Sequence, residues 1–280
     1  MSRINNTFRK LKMQNEKALI PYIMSGYPNE KFCKKIIKTI IDSGADMLEI
    51  GFPFSDPLAD GITIQNAGKM SLDNNMNINK LFNLIKNIRK ETKMPLIIMT
   101  YLNIVYQYGY EEFISQAKKN GVDGLIIPDL PIEEAFEYTT RARHYGLDTI
   151  FLVAPNTSLD RIKKIIQKCT GFLYLISSYG TTGTKININN KFKTQIKNIK
   201  LTIGDAIPLG IGFGISTPND VMKINSCNVD AVIIGSALLK IINENNLDHK
   251  QIQINISNFV HDLKLATKYS SKALKTNRYM

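Results

Sequence analysis

Short apolar runs recur along the whole chain, and most of them are dense in Ile, Leu and Val. They are apolar at consecutive positions rather than at alternate ones, which is the pattern of parallel strands covered on both faces. Each run is too short for a typical helix, so the chain predicts a series of buried strands. The runs span residues 18–24, 47–52, 95–101, 124–129, 148–154, 172–178, 208–214 and 231–236.

Helical patterns fill the gaps between these runs. After Pro28 and Asn29, apolar residues from Phe32 to Ile41 recur at helical spacing, and Gly44 ends the pattern. Thr217-Pro218 supplies an N-cap residue followed by a proline in the first turn of a helix. Similar patterns occupy residues 81–88, 113–117, 132–145, 158–169 and 259–266.

The alternation of strands and helices predicts one fold for the whole chain. We expect an α/β protein, a single (β/α)8 TIM barrel over residues 1–280 with an extra loop and terminal helices. A doubly wound open sheet would alternate in the same way, but its GxGxxG turn is missing. We expect an N-terminal extension with a helix over 1–16 and a flexible tail over 268–280. The connections 53–77 and 179–192 are predicted to be long loops at the catalytic end.

The net charge and the length of the apolar runs narrow the kinds of partner that the protein can have. The net charge of +12 would suit a nucleic-acid partner, an anionic substrate, or lysines scattered over exposed helix faces. Lysine pairs such as Lys34–Lys35 and Lys163–Lys164 fall in separate predicted helices, so we favour scattered lysines and expect no nucleic-acid partner. No run of about 18 apolar residues occurs, so we expect no membrane partner.

The cysteines and the overall composition bear on localisation. The 3 cysteines form no CxxC pair and no metal-ligand spacing, and their odd number favours a reducing compartment over a disulfide framework. The abundance of Lys, Asn and Ile is typical of an A+T-rich genome. We therefore expect a cytoplasmic protein, or one of the plastid stroma if the gene is plastid-encoded.

Two carboxylates are the leading candidates for chemistry. Glu49 lies inside the apolar run MLEIGF, where a charge is costly unless it is paired or neutral. In a barrel mouth beside Tyr22, burial would raise its pKa and let it act as a general acid and base; the alternative is a buried salt bridge with a lysine. Asp60 ends the run FPFSDPLADG, where a simple turn residue is the alternative. Because Glu49 lies on a predicted strand and Asp60 on the loop that follows it, the two carboxylates together favour an active site.

Three glycine-containing turns come late in the chain, at 177–183, 211–216 and 233–238. Glycine lets a backbone approach a ligand closely, and a helix start after Gly235-Ser236 would present N–H groups to a phosphate. Barrels often bind phosphate with the loops after strands seven and eight. Together the turns predict a phosphate site.

Other polar residues are weaker candidates. Tyr101 and Asn103 follow the third strand and are expected near the mouth of the barrel, and Tyr174 in the sixth strand is expected to be half core and half pocket wall. Asp129 more often caps a turn than catalyses. None of the three histidines falls at a strand end, and no metal site is expected.

At this point the motifs resemble those of a known family, the tryptophan synthase alpha chains. The long motif LEIGFPFSDPLADG (48–61) is the most specific of them, and the others follow in family order over nearly the whole chain. The remaining motifs are MTYLNIVYQYG (99–109), GVDGLIIPDLP (121–131), FLVAPNT (151–157), GFGIS (212–216) and IGSAL (234–238).

The resemblance implies a lyase of tryptophan biosynthesis, which splits indole-3-glycerol phosphate into indole and D-glyceraldehyde 3-phosphate by a retro-aldol reaction. It implies that Glu49 protonates the indole carbon and that Asp60 binds the indole N–H and steadies the charged tautomer. No cofactor is implied in this chain. The implied phosphate-binding positions are Gly183, Gly214, Gly235 and Ser236, and the implied walls of the indole pocket are Tyr22, Leu125, Ile127 and Tyr174.

The resemblance also implies a partner, the tryptophan synthase beta subunit, in an alpha2-beta2 heterotetramer. That subunit carries pyridoxal phosphate and receives indole through a tunnel. Pro53, Asp56 and Asn103 would face it. Loops 53–60 and 179–189 would need to become ordered to exclude water, so the isolated chain is expected to be a poor catalyst.

The chain departs from the family pattern at four positions. Tyr22 stands where the family commonly has Phe, and Ile62 replaces a proline. In the sixth loop Ser178 replaces an arginine and Thr181 a valine. The change at Tyr22 is mild. The loss of an arginine at 178 does not touch Glu49 or Asp60, so we expect it to affect the lid and its coupling rather than the reaction.

Two other functions compete with this one. Another phosphate-binding barrel, such as indole-glycerol-phosphate synthase or a phosphoribosyl isomerase, would share the glycine turns, but the strand ends here lack the lysine that the synthase uses. A non-catalytic basic barrel that binds nucleic acid would instead show a salt-sensitive shift with DNA or RNA.

Overall fold

The apolar runs form the strands of one closed parallel barrel in the order β1 to β8, which confirms the predicted fold class. The structure, a computed structural model, describes residues 1–176, 189–212, 214–244 and 248–268. The strands are β1 (Ala18–Met24), β2 (Leu48–Gly51), β3 (Leu96–Met99), β4 (Gly124–Ile126), β5 (Asp148–Val153), β6 (Leu173–Ile176), β7 (Leu209–Gly212) and β8 (Ala231–Ile234).

Helices surround the barrel and cover its outer face. Their buried residues recur at helical spacing, as Phe32, Ile36 and Ile40 do in the first helix after β1. In the described residues they are α1 (Arg3–Met13), α2 (Glu30–Asp42), α3 (Ile62–Asp73), α4 (Ile78–Glu91), α5 (Leu102–Tyr108), α6 (Tyr110–Lys119), α7 (Phe136–Tyr145), α8 (Leu159–Ile166), α9 (Asn190–Ile203), α10 (Pro218–Asn225), α11 (Ser236–Ile242) and α12 (His249–Lys268).

Side-chain caps fix where several helices begin. The Asn29 side chain accepts a hydrogen bond of 2.9 Å from the N–H of Phe32 and starts α2. Thr217 and Asp220 form a reciprocal capping box at the start of α10, with Pro218 in its first turn. These caps lie where the sequence pattern placed them.

The end of the barrel opposite the strand carboxyl ends is closed by α1. A Cβ on Gly124 would collide with the Ile4 side chain, so this helix packs directly against the barrel floor. Asp123 accepts hydrogen bonds from Arg3 at 2.8 Å and from Arg89 at 2.6 Å, which ties α1 and α4 to the start of β4. The ligand-accessible end is therefore the opposite one, at the carboxyl ends of the strands.

One predicted loop contains a helix. We predicted a loop over 53–77, but α3 occupies much of it and leaves a shorter connection before Gly61. The buried positions of α3 are Ile64, Ala67, Gly68 and Ser71, and three of these are small, so they give a weak hydrophobic pattern. Most of the predicted loop 179–192 and the tail 269–280 lie outside the described residues.

The described residues also show the state of the cysteines and the character of the helices. Cys33, Cys169 and Cys227 are buried free thiols, and burial raises the pKa of each. In the same part of the chain, no helix is both long and apolar enough to cross a membrane.

Candidate active site

A cavity of about 380 Å³ opens at the carboxyl ends of the strands. Both candidate carboxylates reach it, one from a strand and one from the loop that follows. Its volume lies in the range of small-molecule sites. Its described lining residues are Tyr22, Glu49, Asp60, Ile64, Met99, Tyr174, Gly214, Ile215, Ser216, Ile233, Gly235, Ser236, Ala237, Lys240, Ile241 and Phe259.

Glu49 is held in this cavity by the register of the barrel. It lies beside Tyr22 of β1 across the β1–β2 ladder, and its side chain is 1% exposed. Its Oε2 atom has no hydrogen-bond partner, and no lysine or arginine of the described residues pairs with it. Burial, reinforced by the nearby Asp60, raises the pKa of Glu49 to about 8. The described residues therefore show no salt bridge at Glu49. Its raised pKa favours the protonated form near neutral pH.

Asp60 enters the same cavity from the end of the loop after β2. Burial raises its pKa to about 6, less than for Glu49, because the Tyr101 hydroxyl donates a hydrogen bond to its carboxylate. Its backbone carbonyl accepts a hydrogen bond of 2.8 Å from Gln65 Nε2. At neutral pH this carboxyl group is largely ionised beside a protonated Glu49.

Tyr101 fixes the position of that loop. Its hydroxyl accepts a hydrogen bond of 3.1 Å from the N–H of Ala59, and its ring stacks on Phe54 with the centroids 5.3 Å apart. With the hydrogen bond to Asp60, Tyr101 contacts the loop at three points. The sequence placed Tyr101 near the mouth but gave no sign of this contact with Asp60.

Two tyrosine rings line the cavity, and each lies over a glycine. A Cβ on Gly51 would overlap the Tyr22 ring, and a Cβ on Gly212 would overlap the Tyr174 ring. Both tyrosines are buried, at 4% and 6% exposure, and desolvation raises the pKa of each well above its usual value. They are neutral walls suited to an aromatic ligand.

The other end of the cavity is made of short turns after β7 and β8. Gly214 has a φ of 74°, in the left-handed region that favours glycine. Gly235 and Ser236 line the same end, and a Cβ on Gly235 would come no closer than 3.5 Å to Tyr22. Ser236 begins α11, so its N–H has no acceptor within the helix.

Two predicted wall residues do not line this cavity. Leu125 lies beside Ile98 in the barrel register, whereas Gly124 lies in the row of Ile97 and Glu49. Since neighbours in a row share a face and the row of Glu49 faces the interior, Leu125 faces the helices. Ile127 shares that parity and lines a separate cleft with Phe151 and Arg161. These two assignments are wrong by one residue.

Several lining residues were missed at the sequence level. Met99, the register partner of Ile126, gave no polar signal inside an apolar run. Phe259 and Lys240 come from helices, where an apolar or charged side chain is ordinary. Gly183 and Ser178 lie outside the described residues, so their predicted places are not seen.

The predicted partner-facing residues lie beside the mouth. Pro53 and Asn103 line one groove together along α5. Asp56 is exposed in the neighbouring loop, where its carboxylate accepts a hydrogen bond of 2.6 Å from the Ser55 hydroxyl. In the part of the chain that the structure describes, no cluster of three or more His, Cys, Asp or Glu residues is arranged to hold a metal.

Two desolvated carboxylates with separated pKa values, at the catalytic end of a (β/α)8 barrel, are typical of a barrel enzyme that works by acid–base chemistry. The comparison with known proteins makes the class more specific. A family model described as the tryptophan synthase alpha chain matches residues 8–268, and the chain belongs to that family.

Individual relatives agree with this placement. The tryptophan synthase alpha chain of Methanosarcina acetivorans is 43% identical over 87% of this chain and 88% of the relative. The structure of tryptophan synthase subunit alpha from Legionella pneumophila covers 95% of this chain and 98% of its own, at 34% identity and a TM-score of 0.86. A Mycobacterium tuberculosis tryptophan synthase structure covers 96% and 99%, at 28% identity and a TM-score of 0.86.

The family is one of lyases in tryptophan biosynthesis. Its alpha subunit cleaves indole-3-glycerol phosphate to indole and glyceraldehyde 3-phosphate. Neighbouring structures of whole tryptophan synthases point to a beta-subunit partner.

Proposed function

We propose that Glu49 and Asp60 carry out the retro-aldol cleavage of indole-3-glycerol phosphate in this cavity. The observation that carries the proposal is that both carboxylates are desolvated on one cavity, with pKa values of about 8 and about 6. One is protonated and the other ionised at neutral pH. The pair therefore supplies an acid and an anion without any further group.

The proposed reaction runs through a charged form of the indole ring. Glu49 donates its proton to the ring carbon that bears the side chain, and the ionised Asp60 accepts a hydrogen bond from the ring N–H, which stabilises the cation. The hydroxyl on the attached carbon then gives its proton back to Glu49. The carbon–carbon bond breaks, its electron pair returns to the ring, and indole and D-glyceraldehyde 3-phosphate are released. These steps use only proton transfers by this chain's side chains.

The rest of the cavity would position the substrate. The rings of Tyr22 and Tyr174 would hold the indole, and the N–H groups of Gly214, Gly235 and Ser236 would bind the phosphate. Gly183 would complete the phosphate site.

Replacing Glu49 by Gln tests the proposal. Glu49→Gln keeps the size of the side chain but has no proton to give, so we expect indole release to fall at least about 100-fold. Binding of glycerol 3-phosphate and the thermal unfolding midpoint should stay close to those of the parent. Glu112→Gln, an exposed change of the same kind on α6, is the matched control. A folded Glu49→Gln protein with most of its activity would rule out this role.

We also propose that the partner is a beta subunit carrying pyridoxal phosphate, in an alpha2-beta2 assembly. Two grooves flank α5 at the barrel mouth, and Asn103 lines both. Leu58 and Tyr106 stand nearby, 85% and 70% exposed. Apolar side chains exposed beside an active site are typical of a docking surface. The free cysteines fit the reducing cytoplasm or plastid stroma expected for this chain.

A further inference from the structure

Lys240 is the one cation among the described residues that line the catalytic cavity. The same cavity holds Glu49 and Asp60, and a phosphate monoester adds a charge of about −1.5 to −2 at neutral pH. Backbone N–H groups offer dipoles but no net charge. With an ionised Asp60, the occupied cavity would be strongly negative unless a cation takes part.

The Lys240 side chain has no ion-pair partner among the described residues. Other lysines near the barrel are paired: Lys200 with Asp230 at 2.6 Å, and Lys264 with Asp46 at 2.9 Å. No carboxylate of the described residues lies within ion-pair distance of Lys240, although Glu244 is one turn away on the chain. Its ammonium group is therefore available to a ligand.

The helix directs Lys240 towards the phosphate end of the cavity. Lys240 and Ser236 are four residues apart on α11 and lie on the same face, one turn apart. Side chains on a helix tilt towards its N-terminus, so the lysine stem extends in the direction of Ser236. Both residues line the cavity, which confirms that this face of α11 is turned to it.

We propose that Lys240 binds the substrate phosphate as its counter-ion and thereby sets the preference for a phosphorylated substrate. The proposal rests on the proposed function, since it assigns a further residue to the same substrate. Lys240 follows β8 beside Ser236, whereas Glu49 and Asp60 come from β2 and its loop, so Lys240 would contact the phosphate and not the breaking bond. It stabilises the bound substrate and the transition state equally, so it lowers KM and leaves kcat unchanged.

The experiment compares Lys240→Gln, Lys240→Arg and Lys223→Gln with the parent chain. Lys223 is exposed on α10 and is not among the residues that line the cavity. Its replacement by Gln removes the same charge as Lys240→Gln. Steady-state constants are measured for indole-3-glycerol phosphate and for unphosphorylated indole-3-glycerol. The Kd of glycerol 3-phosphate is measured by calorimetry at low and high salt.

We expect Lys240→Gln to raise KM and the glycerol 3-phosphate Kd roughly 10-fold, as for the loss of one charge-assisted hydrogen bond. The kcat and the KM for unphosphorylated indole-3-glycerol should stay within about 2-fold, and the salt dependence of Kd should weaken. Lys240→Arg should restore most of the affinity, and Lys223→Gln should match the parent.

Two results would overturn the assignment of Lys240: an unchanged glycerol 3-phosphate Kd in Lys240→Gln, or an equal loss with the unphosphorylated substrate. The glycerol 3-phosphate measurement needs no turnover. A parent chain that binds this phosphate but never releases indole would therefore contradict the proposed function, while Lys240 is still judged by the Kd values.

Discussion

Glu49 and Asp60 differ in pKa because their surroundings differ, although both are carboxyl groups in one cavity. Glu49 comes from the middle of an apolar strand and has no hydrogen-bond donor at Oε2. Asp60 receives a hydrogen bond from Tyr101, which stabilises its anion. The two environments thus suit one carboxyl group to the proposed role of acid and the other to the proposed role of anion.

A pH profile tests this division. In the proposed reaction Glu49 starts protonated, and above its pKa of about 8 the protonated fraction falls tenfold for each pH unit. We therefore expect kcat/KM for indole-3-glycerol phosphate to be steady near neutral pH and to decline above about pH 8. Initial rates of indole release at low substrate concentration measure it. Rates that keep rising up to pH 9.5 or so would mean that Glu49 acts as a base in the free enzyme.

Polarity decided which residues of the site the sequence revealed. Glu49 stood out because it is the one charged residue in its apolar run, and its parity then fixed the interior face of β2. The run around Leu125 and Ile127 is apolar at every position, so nothing in it marks the inner face. The family motif gave the right segment, and only the barrel register shows that Ile126 shares the face of Met99.

At the scale of elements, the loop after β2 is shaped by a residue from the next strand. Tyr101 follows β3, yet it contacts Phe54, Ala59 and Asp60. One side chain thus couples the end of β3 to the placement of the second carboxylate. Asp60 is a catalytic candidate, and Tyr101 is its positioning residue.

Removing only the Tyr101 hydroxyl separates these contacts. Tyr101→Phe keeps a ring for Phe54 but loses the hydrogen bonds to Ala59 and Asp60. We expect kcat to fall roughly 10-fold, as for the loss of one or two hydrogen bonds, and the pKa of Asp60 to rise because its anion loses a donor. Steady-state kinetics and carboxyl NMR titration would measure the two effects.

The control for this variant is Tyr145→Phe, which removes a hydroxyl that bonds Glu111 at 2.5 Å on the outer helices. It should match the parent in kcat. A Tyr101→Phe protein with unchanged kcat and an unchanged Asp60 titration would show that the loop holds its position without this tyrosine.

The strands and most of the helices were predictable because their hydrophobic patterns are strong. Each predicted run contains its strand, and β1 has the predicted bounds. α3 was missed because its buried side is built from small residues, and the chain reads there like a polar loop. Lys240 gave no signal either, since a lysine on an exposed helix face is ordinary in a chain with 36 Lys and Arg residues.

At the scale of the whole molecule, the proposed docking surface and the active site share one loop. Asp56 is exposed on the outer side of this loop, and Asp60 reaches the cavity from its end. A partner that orders the loop would therefore improve the placement of Asp60 without touching the substrate.

Asp56→Ala tests this coupling. Among the described residues its carboxylate bonds only the neighbouring Ser55 hydroxyl, so we expect the isolated variant to keep nearly the parent rate. The stimulation by a beta subunit should fall several-fold, with a higher half-saturating concentration. Indole release across a beta-subunit titration measures both. Asp160→Ala on α8 is the control, and equal stimulation of all three proteins would place the coupling surface elsewhere.

The glycine–tyrosine pairs in the cavity walls constrain how the enzyme can evolve. A side chain at Gly51 would force the Tyr22 ring to move, and one at Gly212 would force the Tyr174 ring to move. A lineage that enlarges either glycine must first, or at the same time, shrink the tyrosine above it. Single substitutions at these glycines are therefore disfavoured. A new substrate shape would arise most readily by shortening a tyrosine first, which opens space that a side chain introduced at the glycine can later occupy.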